Sequence, residues 1–138
     1  MSAFVVSKTH IAALSNYYVR KSGRQFSLRE RIDLANMLMA ENVKSVNARY
    51  DHDEEPETFE ADEIINGPSY DAVTILKAAQ CYSYQSCEHD GWMTSEAHDV
   101  IEFIKSMAIS ALPGYDEAPW EIEDPVLMNI RQRQELVK

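Results

Sequence analysis

Apolar residues recur every three to four positions along most of the chain, the spacing of one face of an α-helix. The first such stretch follows Ser7, a suitable N-cap, and Gly23 provides an end for it. The second follows Ser27, whose hydroxyl and the carboxylate of Glu30 have the spacing of a capping box. The pattern therefore predicts two consecutive helices, the second ending near Tyr50.

Further helical stretches follow in the second half of the chain. One is predicted to begin at Pro68 and Ser69, and another after Thr94 or Ser95, each of which is a suitable cap. A short C-terminal helix is predicted over residues 125–138, where a proline follows an aspartate. We therefore expect a mostly α fold, a single compact domain of four to five helices formed by the whole chain.

A brief alternation of polar and apolar residues interrupts this helical pattern. It covers residues 58–61, which could pair with residues 4–6. The sequence therefore leaves open a minor two-stranded β pair beside the helices.

The composition agrees with a globular protein. The chain has 138 residues, 45% of them hydrophobic, enough to form a core without disulfides or a metal. It contains two cysteines and no apolar run of membrane-spanning length, and its first residues lack the features of a secretion signal. We expect a cytoplasmic protein that does not enter a membrane.

Charge is strongly segregated along the chain, whose formal net charge is -10. Residues 1–50 hold eight Lys or Arg and three Asp or Glu, whereas residues 51–63, here called the acidic loop, hold eight Asp or Glu and no Lys or Arg. A second acidic segment spans residues 116–124. An acidic field of this kind repels nucleic acid and anionic membranes and attracts basic protein surfaces.

The acidic loop has two interpretations. It is either a solvated loop that raises solubility or a surface that captures a basic partner. Aromatic residues flank its carboxylates, Pro56 stiffens its middle, and the second acidic segment repeats the combination of carboxylates with an aromatic residue. Charge that steers an encounter and aromatic anchors that slow release are typical of such interfaces. The predicted partner-binding residues are Tyr50, Asp51, Asp53, Glu54, Glu55, Glu57, Phe59, Asp116, Glu117, Trp120, Glu121 and Glu123.

A basic stretch between the first two predicted helices supports an alternative function. A helix-turn-helix would place such side chains on phosphates, and the alternative is a small nucleic-acid-binding regulator. The acidic remainder of the chain opposes this, and the second helix offers few side chains besides Asn36 that could read bases. The residues of this alternative are Arg20, Lys21, Arg24, Arg29 and Arg31.

No recognisable catalytic or metal-binding motif is present. Cys81, Cys87, His89 and His98 lie six, two and nine residues apart, whereas structural zinc sites use ligand pairs two to four residues apart. Cys81 is better explained as a small core residue late in the third predicted helix. We therefore expect neither an enzyme nor a metal or cofactor site.

Three segments carry a resemblance to known proteins: SVNARYDHDEEP (45–56), LKAAQCYSYQSCEHDGWMTSEA (76–97) and LPGYDEAPWEI (112–122). In these segments the chain resembles a group of small proteins encoded by bacteriophages and prophages, and the similarity runs from the N-terminus to about Ile122. In size, acidity and helical character it also resembles anti-CRISPR inhibitors of the type I-F surveillance complex.

The second resemblance implies a function and a mechanism. Such inhibitors act in the host cell without catalysis, by binding Cas proteins. They cover the basic path of target DNA, as a DNA mimic would, or prevent recruitment of the helicase-nuclease. The resemblance transfers no catalytic residue. A homodimer is compatible with the amphipathic C-terminal segment, but the sequence leaves open both the oligomeric state and the subunit bound.

Overall fold

Five helices make up most of the described chain. The computed structural model describes residues 6–51, 53–87 and 95–112. The helices are α1 (Lys8–Ser22), α2 (Leu28–Tyr50), α3 (Ala61–Ile65), α4 (Ala72–Cys87) and α5 (Ser95–Ser110). The prediction of a mostly α fold is confirmed. None of these helices is both long enough and apolar enough to cross a membrane.

The ends of α1 and the beginning of α2 form as the sequence predicts. The Ser7 hydroxyl accepts a hydrogen bond from the His10 amide, and Gly23 ends α1 with a φ of 73°, a left-handed conformation that favours glycine. At the start of α2, the Ser27 amide donates to Glu30 and the Glu30 amide donates to the Ser27 hydroxyl. These bonds satisfy backbone groups that the helices leave free at their ends.

The second half of the chain differs from the prediction at two places. Helix α4 begins at Ala72 rather than at Pro68, because Asp71 accepts a hydrogen bond from the Thr74 amide and so caps the helix. The short helix α3 was not predicted. Its N-cap is Glu60, whose amide donates to the carboxylate of Glu63 in a capping box. The C-terminal helix predicted over 125–138 lies outside the described residues.

Helices α1 and α2 form the centre of the fold, since each of them contacts all four other helices. Leucine and isoleucine side chains from all five helices fill one hydrophobic core. Its polar contacts include a buried hydrogen bond of 2.7 Å from the Tyr82 hydroxyl to the carbonyl of Leu38, which joins α4 to α2. The core therefore packs α2 against the other four helices.

The β pair considered from the sequence is absent from the described residues. Residues 58–60 have no regular structure, and Ala61 begins a helix. The amide of Phe59 donates to Oδ1 of Asn36, and the amide of Val6 donates to Oδ1 of Asn42. Two of the backbone amides that a strand pair could have used are thus bonded to side chains of α2. Residues 4 and 5 lie outside the described part.

The two most buried tyrosines provide a test of this core. Tyr82 is fully buried and its hydroxyl donates to Leu38, whereas Tyr17 is 3% exposed and its hydroxyl has no hydrogen-bond partner among the described residues. We predict that Tyr82→Phe lowers the free energy of unfolding by about 1 kcal/mol, because the Leu38 carbonyl loses its donor. Tyr17→Phe is the matched control, and it should leave stability unchanged or slightly higher. Urea unfolding of both variants measures this, and equal losses would contradict it.

Candidate functional site

The first half of the acidic loop is fixed to α2 by hydrogen bonds to its backbone. The side-chain amide of Asn47 donates to the carbonyl of Glu54 at 2.9 Å, and Oδ1 of Asn47 accepts from the Glu54 amide at 3.0 Å. Five residues later, the Phe59 amide donates to Oδ1 of Asn36 at 2.9 Å. One helix therefore holds this segment of the loop at both ends.

The spacing of the two asparagines requires the segment between them to be extended. Asn36 and Asn47 are eleven residues apart, close to three full turns, so they lie on the same side of α2 and about 16 Å apart along its axis. The five residue steps from Glu54 to Phe59 cover at most roughly 16–18 Å when the chain is extended. The segment has little slack, and Pro56 in its middle is compatible with an extended backbone.

The carboxylates at the end of the acidic loop have structural roles. Glu60 and Glu63 form the capping box of α3. The carboxylate of Glu63 also contacts Nζ of Lys8 at 2.8 Å and 3.0 Å, one distance for each oxygen. The hydrogen bond from Lys8, followed by that from the Glu60 backbone, lowers the pKa of Glu63. Lys8 thus supplies the cation that the loop itself lacks.

The carboxylates in the first half of the loop are free of such contacts. Asp53, Glu55 and Glu57 are exposed and Glu54 is half-buried. No Lys or Arg of the described chain forms an ion pair with any of these four. Their side chains therefore add negative charge to a backbone that is held in place.

The two residues at the beginning of the loop end helix α2. Tyr50 is its last residue and is half-buried. Asp51 is exposed, adopts a left-handed conformation with a φ of 57°, and donates its amide to the Asn47 carbonyl. Asn47 therefore takes part in the end of the helix through its backbone and in the loop through its side chain.

Phe59, considered from the sequence as an aromatic anchor for a partner, is buried. Its ring is only 5% exposed and belongs to the hydrophobic core. Nζ of Lys8 lies 5.2 Å from the ring centroid, within the range of a cation–π contact. The Phe59 side chain thus anchors the loop in the hydrophobic core and has little surface left for contact with a partner.

A pocket of about 260 Å³ opens where the acidic loop meets α2, here called the loop pocket. Its floor consists of apolar residues that are almost fully buried, and three glutamates of the loop and one lysine line the rest of it. The lining residues are Val6, Lys8, Met39, Val43, Glu54, Glu55 and Glu57. The loop therefore presents negative charge beside an apolar concave surface.

The cations of the alternative nucleic-acid site have aromatic partners in the first part of the basic stretch. Arg20 and Lys21 lie 5.1 Å and 5.6 Å from the ring centroid of Tyr17, and Arg24 lies 4.7 Å from that of Phe26. These three side chains are exposed. They are free to meet solvent ions, but their positions are already explained by contacts with the chain itself.

The remaining cations of that site have polar partners. Arg29 forms an ion pair of 3.3 Å with Asp33 in the next turn of α2. Arg31 donates to Oδ1 of Asn16 at 3.1 Å and so joins α2 to α1. Asn36, the residue considered for base reading, accepts from the loop backbone instead. Nucleic-acid binding by this stretch stays an untested prediction.

Carboxylates also face this basic stretch. A wide depression of about 610 Å³ lies between α1, α2 and α5, and Tyr18, Arg24 and Phe26 form part of its wall. The acidic residues that line it are Glu30, Asp33, Glu96 and Asp99. These four negative charges reduce the attraction of the basic stretch for phosphate.

The cysteines and histidines do not form a site in the described part. Cys81 is exposed rather than a core residue, because position 81 lies on the outer side of α4. Burial of the sulfur by neighbouring atoms nevertheless raises the pKa of the thiol. His98 is exposed on α5. The side chain of Cys87 and all of His89 lie outside the described residues, within which no cluster of His, Cys, Asp and Glu side chains could hold a metal ion.

Sequence reasoning missed the residues that organise the loop. Asn36 and Asn42 lie in the interior of a long helix and Asn47 lies in its last turn, and asparagine has low helix propensity. That local disadvantage was a signal of a tertiary role. Lys8 carried no comparable signal, since its partner is 55 residues away.

The second acidic segment cannot be compared with the first. Asp116, Glu117, Trp120, Glu121 and Glu123 all lie outside the described residues.

No family model matches the chain, and no curated protein or solved structure is significantly similar to it. The candidate site is therefore defined by its own geometry.

The two asparagines should protect different loop amides from hydrogen exchange. We predict that Asn47→Ala speeds exchange at the Glu54 amide while the Phe59 amide stays protected, because only the former loses its acceptor. Asn36→Ala should have the opposite effect, and each variant serves as the control for the other. Amide exchange measured by NMR reports both sites. Equal acceleration of both amides in either variant would show that the segment detaches as one unit.

The ion pair between Lys8 and Glu63 should make stability depend on acid pH. The pKa of Glu63 is lower in the folded chain than its ordinary value of 4.5. Its ionised form therefore stabilises the fold above that value, and this contribution is lost as the pH falls through the folded pKa. We predict that Glu63→Gln, which keeps the capping acceptor, reduces the fall in unfolding free energy on acidification.

Urea unfolding at several pH values below neutrality measures this difference. Lys8→Met is the companion variant: it removes the main cause of the lowered pKa and should also flatten the acid dependence. The effect should shrink at high salt, because the pair is partly exposed. Identical acid profiles for the wild type and Glu63→Gln would rule out the assigned role of this carboxylate.

Proposed function

We propose that this protein acts without catalysis, by binding a basic surface of another protein through the acidic loop. One observation carries the proposal: the backbone of the loop is fixed at Glu54 and Phe59, while the carboxylates between these points have no cationic partner in the described chain. A segment that is already ordered loses less conformational entropy on binding. Unpaired carboxylates steer the approach of a basic partner.

The geometry favours binding over a purely solubilising loop. A loop that serves solubility alone needs charge but no particular path. Here Asn47, Asn36 and the Lys8–Glu63 ion pair hold the path at three points. The net charge of -10 extends the attraction beyond the immediate contact.

The specific partner that we propose is a host complex that itself binds nucleic acid, with the type I-F CRISPR surveillance complex as the first candidate. This choice rests on the resemblance to anti-CRISPR inhibitors. A protein path that binds DNA must present cations to the phosphates. Loop carboxylates that occupy those cations would exclude DNA, so competition with DNA is favoured over a block on nuclease recruitment.

A pull-down with purified type I-F surveillance complex tests this proposal. The complex is presented with and without preloaded target DNA, and the retained species are weighed by native mass spectrometry. Retention that is lost after DNA loading would support competition, whereas retention in both states would support a block on recruitment. No retention would remove this complex as the target. The measured mass also shows whether the protein binds as a homodimer.

Charge reversal in the loop should abolish this binding without unfolding the protein. We predict that the triple variant Asp53→Lys, Glu54→Lys and Glu55→Lys loses binding and keeps the helical circular-dichroism signal. The fold should persist because Asn47 bonds to the backbone of Glu54 and not to its carboxylate.

A matched control changes the same charge elsewhere. The variant Glu96→Lys, Asp99→Lys and Glu102→Lys alters three exposed residues of α5. It should retain most of the affinity at moderate salt, where long-range attraction is screened. Equal loss in both triple variants would mean that net charge, and not the loop, determines binding.

A further inference from the structure

We infer that the loop pocket receives the side chain of an arginine from the partner's surface. This inference rests on the proposed function and specifies the chemistry of the contact. It follows from the shape of the pocket, the charges around it and the occupancy of its one lysine.

The apolar floor fits the stem of a long cationic side chain. Val6, Met39 and Val43 close the bottom of the pocket and are 6%, 2% and 3% exposed. They expose too little surface to bind an aliphatic group strongly by themselves. Arginine and lysine cover apolar surface with their methylene groups while the charged end stays at the rim.

The rim supplies the opposite charge. Glu54, Glu55 and Glu57 come from the stretch held by the two asparagines, so their backbone positions do not depend on the partner. Lys8 also lines the pocket, but its ammonium group contacts both carboxylate oxygens of Glu63. The pocket thus keeps an excess of negative charge, which a cationic side chain would neutralise.

The other depressions lack this combination. The neighbouring one, which shares Val43 and Glu54 with the loop pocket, has Glu54 as its only acidic residue and contains Lys44. The wide depression beside α5 already contains Arg24, which stacks on Phe26. The loop pocket is therefore the one of these three where an external cation meets uncompensated charge.

Arginine fits the pocket better than lysine. Its planar guanidinium group binds carboxylates through two parallel hydrogen bonds, and it is less strongly hydrated than an ammonium group. Glu55 and Glu57, which line the pocket two positions apart in an extended segment, lie on the same side and offer such a pair. Arginine is also enriched among the residues that dominate binding at protein interfaces.

The test uses three glycine-flanked peptides that differ at the central residue, which is arginine, lysine or citrulline. Citrulline keeps the shape of arginine and lacks its charge. Each peptide is titrated to millimolar concentration at low ionic strength into the full ¹⁵N-labelled chain, and amide shifts are recorded by NMR. We expect saturable shifts at Val6, Lys8 and Val43 with arginine, weaker ones with lysine and none with citrulline.

Two neutralised triple variants locate the effect. Glu54→Gln, Glu55→Gln and Glu57→Gln remove the charges of the pocket, whereas Asp51→Asn, Asp53→Asn and Asp62→Asn remove equal charge from exposed loop positions outside it. Asparagine suits the left-handed conformation at position 51. Only the pocket variant should lose the arginine-induced shifts.

The results separate this inference from the proposed function. Four outcomes would overturn the arginine pocket. They are equal shifts with citrulline, shifts away from the pocket, no shifts with any peptide, and equal loss of the shifts in the two neutralised triple variants. If the surveillance complex binds the wild type, and the two neutralised triple variants lower its affinity equally, the acidic loop keeps its proposed function. If the peptide binds in the pocket but the complex does not bind, the arginine pocket stands and the proposed target is wrong.

Discussion

The shape of the acidic loop depends on the side-chain amides of one helix. Repulsion among neighbouring carboxylates favours an expanded chain, and the apolar content of residues 53–58 is too low for burial to oppose it. Asn47 and Asn36 hold the extended segment on α2 with hydrogen bonds to its backbone groups, which stabilise a segment whatever its charge. The backbone path of residues 54–59, and the pocket beside it, follow from these bonds.

The acidic loop therefore consists of two consecutive parts with different roles. Its last part serves the fold, because Glu60 and Glu63 cap a helix and Glu63 holds Lys8. The carboxylates of its first part contribute nothing comparable to the described structure, although this part carries the denser charge. Carboxylates that the described fold does not require are available for an external contact, and the charge pattern of the sequence does not distinguish the two parts.

The sequence predicted the features that depend on near neighbours. The caps at Ser7 and Ser27 and the end of α1 at Gly23 involve residues within a few positions of each other, and the structure has them as predicted. Contacts between distant parts of the chain were missed or misjudged. Phe59 looked like a surface anchor because burial by α2 and Lys8 cannot be read from its neighbours. The binding role of the carboxylates at 53–57 was predicted from charge alone and stays a prediction.

The way in which α2 holds the loop has a consequence for how such a surface can change. Asn47 and Asn36 recognise an amide or a carbonyl, groups that nearly every amino acid possesses. The fold therefore imposes no side-chain requirement at positions 53, 55 and 57, which are all exposed. The backbone path of the loop is therefore independent of the side chains it carries. Substitution at these positions can alter what the protein recognises without changing the five-helix scaffold.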